Sequence, residues 1–390
     1  MMKTKYQKLF EPFIFPSGVT VNNRILMAPM TTASSFKNGM VTNDELSYYE
    51  KRSGGVGAVI TACAYVTREG KAFSGGFSAD SDKMIPSLTK LAKTIQDKGS
   101  KAILQIFHGG RMVSPQNIEG QTPVSASAVR ALRDEAVTPR EMTEEEIQHV
   151  IQGFGEATRR AIESEFDGIE IHGANTYLIQ QFFSPHSNRR TDKWGGNLEK
   201  RMRFPLAIVD SVSQVVKEHA KKPFLIGYRI SPEEIEEPGI AIEDTLQLLD
   251  QLTEKQLDYV HLSIGTIWRG SIRNSEQTTP LLERIKERIG HKIPLIGVGS
   301  IHHPNDAIEA LNKEIPLVAL GRQLLIEPEW VQKVKNEEVD VIRQSMSLKD
   351  QEKLVIPDPM WENITSIPGW LPIEENKEQG NNEPWLKSKN

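Results

Sequence analysis

The sequence predicts a (β/α)₈ barrel, a TIM barrel with an N-terminal hairpin cap and one long insertion after its third strand. Three observations predict it: eight short apolar runs, helical patterns between them, and a polar or glycine residue at the end of nearly every run. The runs are 25–30, 57–66, 101–108, 168–174, 223–230, 259–265, 294–300 and 316–321. They are rich in apolar and β-branched residues without strict alternation, as strands buried on both faces are. Amphipathic stretches separate them, for example 86–98, 143–165, 198–218, 242–256 and 304–313. Eight strand–helix units in roughly 300 residues suit a closed barrel. A doubly wound sheet alternates its elements in the same way, because strand order is invisible in a sequence. No GxGxxG follows any run, however, and Gly54-Gly55-Val56-Gly57 precedes its strand and lacks the third glycine, so a Rossmann reading has little support.

Taken in order, residues 9–23 read as a hairpin turning at Pro16-Ser17-Gly18. Thr143 with Glu146 makes a capping box that starts a helix. Pro304 suits a helix first turn, where its missing N–H costs nothing. Residues 109–142 are an insertion between the third strand and the next helix, long enough to be a lid or small subdomain. The barrel with this insertion is expected over 1–340. Residues 341–390 differ in kind, being polar, with prolines and with Trp361, Trp370 and Trp385. Part of this tail is expected to dock and its last residues, about fifteen, to be disordered.

Composition narrows the class. The 390 residues are 38% hydrophobic and 25% charged, as in a globular protein able to bury a full core. A net charge of −5, from 47 basic and 52 acidic residues, argues against nucleic acid as a partner. The single cysteine, Cys63, excludes an intrachain disulfide and a thiolate-held cluster. The N-terminal stretch has no apolar run of signal-peptide length, and no segment approaches a membrane span. A cytoplasmic protein without a membrane partner is the expectation.

In this fold, chemistry sits at the C-terminal ends of the strands. There the runs place Thr31, Cys63, Gln105 with His108, His172 with Asn175, Arg229, Ser263 with Gly265, Gly299 with Ser300, and Gly321 with Arg322. Packing alone calls for bulky apolar side chains inside a barrel. A lone strand-end arginine is usually an ion-pair partner, but eight such ends together favour a site. The ends of strands seven and eight hold phosphate in many barrels. Gly299 and Gly321 would let the backbone approach a phosphate, and Arg322 could clamp it in bidentate fashion. Each glycine alone would read as an ordinary turn.

Several stretches together carry a resemblance: NNRILMAPMTT (22–32), ILQIFHGGR (103–111), DGIEIHGANTYLIQQFFSPHSNRRTDKWGGNLEKRMRF (167–204), YRIS (228–231), PLIGVGSI (294–301) and ALGRQLL (319–325). Across about residues 9–335 the chain resembles the old yellow enzyme family of FMN-dependent ene-reductases, the NADH:flavin oxidoreductases. The resemblance implies FMN as cofactor, NADH or NADPH as transient reductant, and a small electrophilic substrate. Pro29, Met30 and Thr31 would run under the flavin, with the Cys63 backbone beside it. Gln105 would meet its pyrimidine edge, and Arg229 would stabilise negative charge near N1 and O2. Gly299, Ser300, Gly321 and Arg322 would take the phosphate. His172 and Asn175 would bind and polarise the substrate carbonyl, and Tyr177 would donate the proton. His108, Arg111 and Asn188-Arg189-Arg190 read mainly as structural, with Arg190 an alternative contact for the nicotinamide nucleotide.

There are departures. Thr31 stands where one branch has cysteine, Ala33 where it has tyrosine and Trp194 where tyrosine is usual. The last arginine is Arg343, which argues against a C-terminal arginine finger. The implied activity is reduction of the C=C bond of α,β-unsaturated carbonyl or similar electron-poor compounds. Amine demethylation, nitro or quinone reduction on the same barrel, and a non-catalytic FMN-binding protein, are the alternatives. Homo-oligomerisation stays open.

Overall fold

A computed structural model describes residues 5–374. Each of the eight apolar runs contains a barrel strand. These are β1 (Ile25–Met27), β2 (Ala58–Ile60), β3 (Lys101–Phe107), β4 (Gly168–Gly173), β5 (Leu225–Ile230), β6 (Tyr259–Leu262), β7 (Leu295–Val298) and β8 (Leu317–Leu320). Every neighbouring pair is parallel, β8 returns to β1, and β3 pairs with β4 from Ile103↔Gly168 to Ile106↔Ile171, which completes the ring. A closed ring excludes the doubly wound sheet. The run 57–66 is not one strand. After Ile60 the Ala62 N–H leaves the ladder for the Tyr49 hydroxyl, at 2.8 Å. Ala64–Tyr65 then pairs separately with Ile106 and Phe107. Cys63, expected late in strand two, lies in the bend between these pieces.

Around the ring lie α1 (Asn43–Ser53), α2 (Ile85–Gln96), α3 (Glu144–Glu163), α4 (Leu198–His219), α5 (Ile242–Thr253), α6 (Leu281–Ile289), α7 (Pro304–Asn312) and α8 (Trp330–Lys335). The α3 start carries the capping box of Thr143 and Glu146. Its buried Ile147, Val150, Ile151, Phe154, Ala157 and Ala161 recur at helical spacing. Pro304 opens α7. Neither α1 nor α6 was among the amphipathic stretches named from sequence. α1 buries Glu45 and Arg52 beside its tyrosines, and α6 has only nine residues. No helix among the described residues is long and apolar enough to cross a membrane.

The hairpin pairs Phe13–Ile14 with Thr20–Val21 and turns at Gly18, whose φ of +88° favours glycine. The Ser17 N–H donates to the Asp258 carboxylate at 2.7 Å, which pins the turn beneath β6. Phe15, Val19 and Val21 then close the N-terminal end of the barrel against Ile103, Leu225, Tyr259 and Leu317.

The 109–142 insertion holds two 3₁₀ turns and a short pairing of Val124–Ser125 with Arg140–Glu141. After α8, residues 342–374 return to the barrel. Arg52 donates to the Leu354 carbonyl at 2.7 Å, and Met360, Leu371 and Ile373 are buried. The expectation about the last fifteen or so residues, with Trp385, lies outside the described residues.

Candidate active site

The barrel interior changes character above its apolar floor. Inward-facing positions alternate along a strand, so Glu170 and His172 on β4 share a face with Gln105 on β3, Arg229 on β5 and His261 on β6. Glu170 is fully buried. Its carboxylate accepts from Gln105 Nε2 at 2.7 Å and pairs with His261 Nδ1 at 2.9 Å. Burial alone would raise its pKa, but the hydrogen bonds from His261 Nδ1 and Gln105 Nε2 and the positive charge of Arg229 hold it below the ordinary value, so it is ionised. His261 is neutral, because burial, helped by Arg229, outweighs the pull of Glu170 and leaves its pKa below the ordinary value. Gly227 makes room for this layer: a Cβ there would lie 2.1 Å from the Tyr259 ring.

Arg229 stands next to His172 and His261 in register. Its Nε is buried without a hydrogen-bond partner among the described residues. A buried guanidinium left this way is poised for an acceptor from outside the protein. It lines a cavity of about 330 Å³ together with Pro29, Met30, Gly299, Gly321 and Arg322. A Cβ on Gly265 would meet nothing within 4 Å, and one on Gly299 would strike the Gly265 backbone at 2.8 Å. Gly299 also holds a φ of +108°. The glycines thus keep bare backbone at the ends of β6, β7 and β8, which suits an anion. Arg322 reaches the same cavity and donates to the Trp370 carbonyl at 3.4 Å. Ser300 lies on the rim, its hydroxyl 3.2 Å from the Gly265 carbonyl. An orphaned cation at one end and a glycine cradle with an arginine at the other fit a planar, electron-accepting ring bearing a phosphate, which is FMN.

On the other side of Arg229 is an aromatic mouth. Tyr177 meets His172 edge-on with ring centroids 4.9 Å apart, Phe107 at 5.0 Å and Phe73 at 6.1 Å. Burial raises the Tyr177 phenol far above its usual value, so it stays protonated. Burial, then Arg229 and His261, keep His172 neutral. Its Nδ1 accepts from the Ala174 N–H at 3.3 Å, which leaves the proton on Nε2. Asn175 adopts φ +57°, and its backbone N–H donates to Ser231 Oγ at 3.0 Å. The Ser263 hydroxyl donates to its Oδ1 at 2.7 Å, which leaves the amide N–H₂ free to donate. His172 and Tyr177 thus meet ring to ring, and Asn175 stands exposed on the same turn two residues before Tyr177. Cys63 packs with Phe107 in that aromatic cluster, and burial pushes its thiol up to about 12, which suits a filler. Thr31 is exposed at the end of β1.

Of the expected residues, Pro29, Met30, Arg229, Gly299, Ser300, Gly321 and Arg322 line the one cavity, His172 and Tyr177 meet in the aromatic cluster, and Thr31 is exposed. The structure commits Arg190 elsewhere: its guanidinium donates to the Ala126 and Met142 carbonyls at 3.1 and 2.8 Å and pairs with Asp192. Those bonds bind the insertion to the segment after β4. Arg111 likewise holds the Val129 and Arg130 carbonyls. Sequence reasoning missed Glu170, His261, Phe73 and Trp370. The first two had a signal, since an acid and a histidine stood at inward positions of runs otherwise apolar.

A family model described as the NADH:flavin oxidoreductase / NADH oxidase family matches residues 8–340. The chain is 48% identical over 379 residues to a probable NADH-dependent flavin oxidoreductase, YqiG, of Bacillus subtilis, covering 96% of this chain and 100% of that one. It is 51% identical over 358 residues to an NADH:acrylate oxidoreductase of Vibrio harveyi, covering 91% of this chain but only 36% of that protein. An NADH:fumarate oxidoreductase of Klebsiella pneumoniae is 43% identical, with 92% and 39% covered. Among solved structures, an old yellow enzyme homologue from Zymomonas mobilis superposes with a TM-score of 0.74 at 24% identity, covering 85% of this chain and 93% of that one.

Proposed function

The chain belongs to the NADH:flavin oxidoreductase / NADH oxidase family, and from that premise we propose that it reduces the C=C bond of small α,β-unsaturated carbonyl or carboxylate compounds. It is an NAD(P)H-dependent flavoenzyme. What supports the finer reading is the ring contact of His172 with the protonated Tyr177 phenol, with the Asn175 amide on the turn between them.

When bound, FMN supplies the hydride chemistry between NAD(P)H and the acceptor. Pro29, Met30, Thr31 and the Cys63 backbone would line the ring, with Gln105 at its pyrimidine edge. Arg229 would compensate negative charge on that edge, and Gly299, Ser300, Gly321 and Arg322 would hold the phosphate. His172 and Asn175 would donate to the acceptor's carbonyl oxygen and stabilise the charge that gathers there as the β-carbon receives hydride. Tyr177 would give its hydroxyl proton to the α-carbon. The Phe73–Phe107–Tyr177 wall would exclude water, and the 109–142 insertion would act as the lid.

A second reading has its own support. The chain corresponds to 36% of the Vibrio harveyi acrylate enzyme and 39% of the Klebsiella pneumoniae fumarate enzyme. A unit that occurs within longer reductases can serve to oxidise NADH and pass electrons to another acceptor. One anaerobic experiment separates the two. Flavin bleached by one equivalent of NADH is mixed with 2-cyclohexenone, acrylate or fumarate. The first reading expects rapid return of the yellow spectrum with a stoichiometric saturated product. Reoxidation by a quinone but by none of these alkenes would refute it and favour the second.

A further inference from the structure

A second groove, of about 1400 Å³, opens at the loops that follow β1 and β2. One wall is the loop after β1, at Ala33, Ser35 and Lys37, and the other the loop after β2, at Arg68, Lys71 and Gly75. The loops are tied together by the Ser35 N–H, which donates to the Gly75 carbonyl at 2.9 Å. Phe73, two residues from Lys71, turns its ring to Tyr177 in the mouth. One short stretch thus carries the aromatic wall of the mouth on one side and a cation on the other.

That cation is unusual. Lys71 is 8% exposed, and its ammonium donates to the Lys37 carbonyl at 2.7 Å. Among the described residues it makes no ion pair within 4 Å. Tyr65 lies beneath it at 5.9 Å. Burial first, then Arg68 and Lys37, hold the Lys71 pKa below the ordinary value, while Asp80 opposes them at a distance. A buried ammonium is ordinarily paired, because desolvating it costs several kcal/mol. Arg68 already pairs with Glu119. Asp80, Glu119 and Glu362 also line the groove, as does Lys83, so its cations Lys37, Arg68, Lys71 and Lys83 stand among three carboxylates, and the buried ammonium without an ion pair among the described residues is that of Lys71. The groove is far larger than a small unsaturated acid needs. The stretch from Lys71 to Phe73 links it to Tyr177, so a ligand with its reactive end beside Tyr177 would carry its anionic part along that stretch.

We infer that Lys71, with Lys37 and Arg68, binds the diphosphate of the nicotinamide dinucleotide while the nicotinamide lies in the mouth. This rests on the reading that the mouth is where NAD(P)H gives up its hydride. The test is anaerobic stopped-flow reduction of the holoenzyme by two donors: NADH, and 1-benzyl-1,4-dihydronicotinamide, which has the same reactive ring and no phosphate. Lys71→Met keeps the packed stem and removes the charge. It should raise the NADH dissociation constant roughly tenfold, the size of one charge-assisted contact, with far less effect on the phosphate-free donor. Arg68→Ala, on an exposed side chain, should act in the same direction and does not depend on the Lys71 variant folding. In the unaltered enzyme, added salt should weaken NADH and spare the other donor. An unchanged NADH constant in both variants, equal weakening of both donors, or an effect confined to the KM of a carboxylate acceptor would overturn the assignment. If the unaltered enzyme is reduced by neither donor, it is the reading of NAD(P)H oxidation that fails.

Discussion

The two ends of the barrel interior are built from opposite materials. The lower end is apolar: Ile103, Leu225, Ile296 and Leu317 meet across the axis, and the hairpin plugs them with Phe15, Val19 and Val21. The upper end buries Gln105, Glu170, His172, Arg229 and His261 in the same cylinder. Burial of the first kind stabilises by removing carbon from water. Burial of the second kind costs stability unless every group finds a partner. Glu170 finds two, whereas Arg229 Nε and His261 Nε2 find none among the described residues. The lesson is a division of labour: the floor holds the ring of strands closed so that the layer above can keep uncommitted polar groups.

Breaking the upper layer at its centre should have the largest effect. Arg229→Met removes the orphaned cation, and kcat/KM should fall about 100-fold or more with weakened flavin retention, by analogy with the loss of one oriented charge donor. Steady-state kinetics and the flavin-to-protein ratio read this, and retention of wild-type kinetics would end the distinction between floor and rim. Breaking the floor should do the reverse. Ile103→Ala should cost about 2–5 kcal/mol of stability, as large-to-small core changes do, in a chemical denaturation curve. The folded variant should keep its flavin spectrum and turnover.

Sharper variants separate members of the upper layer. Glu170 touches neither opening and acts through Gln105 and Arg229, so it is a positioning residue. Glu170→Gln removes the negative charge that offsets Arg229, and the flavin midpoint potential should move to more positive values. A purely structural role would lower stability and leave the potential in place. The smallest effect expected is on acid stability. Burial holds His172 well below the usual 6.5, so as pH falls through 6.5 the unfolded chain takes up a proton that the folded one refuses. Stability is therefore lost on the acid side. The gap in Tm between the wild type and His172→Asn should move in the variant's favour between pH 7.5 and 5, and a pH-independent gap would contradict a neutral buried imidazole.

Much of this contrast was legible before the structure. The eight apolar runs marked the strands because strands wrapped by helices must be apolar on both faces. The rim residues stood out because packing could not explain them. What stayed hidden depended on three-dimensional neighbours. The break after Ile60 arises because the Tyr49 hydroxyl captures the Ala62 N–H. Arg190 reads the same in sequence whether it meets a nucleotide or backbone carbonyls. Trp370 lies 48 residues beyond Arg322 yet joins it at the cavity beside Gly299 and Gly321, a contact that no local spacing encodes. Glu170 was readable in principle, as a lone acid within an apolar run.

The central claim is that Tyr177 gives the proton at the acceptor carbon while the reductive half of the cycle does not need it. Its direct test is Tyr177→Phe, followed through each half-reaction separately by anaerobic stopped-flow. Flavin reduction by NADH should proceed at the wild-type rate, and reoxidation by 2-cyclohexenone should slow by about 100-fold, the lower end for general acid catalysis. Equal slowing of both halves, or of neither, would contradict it.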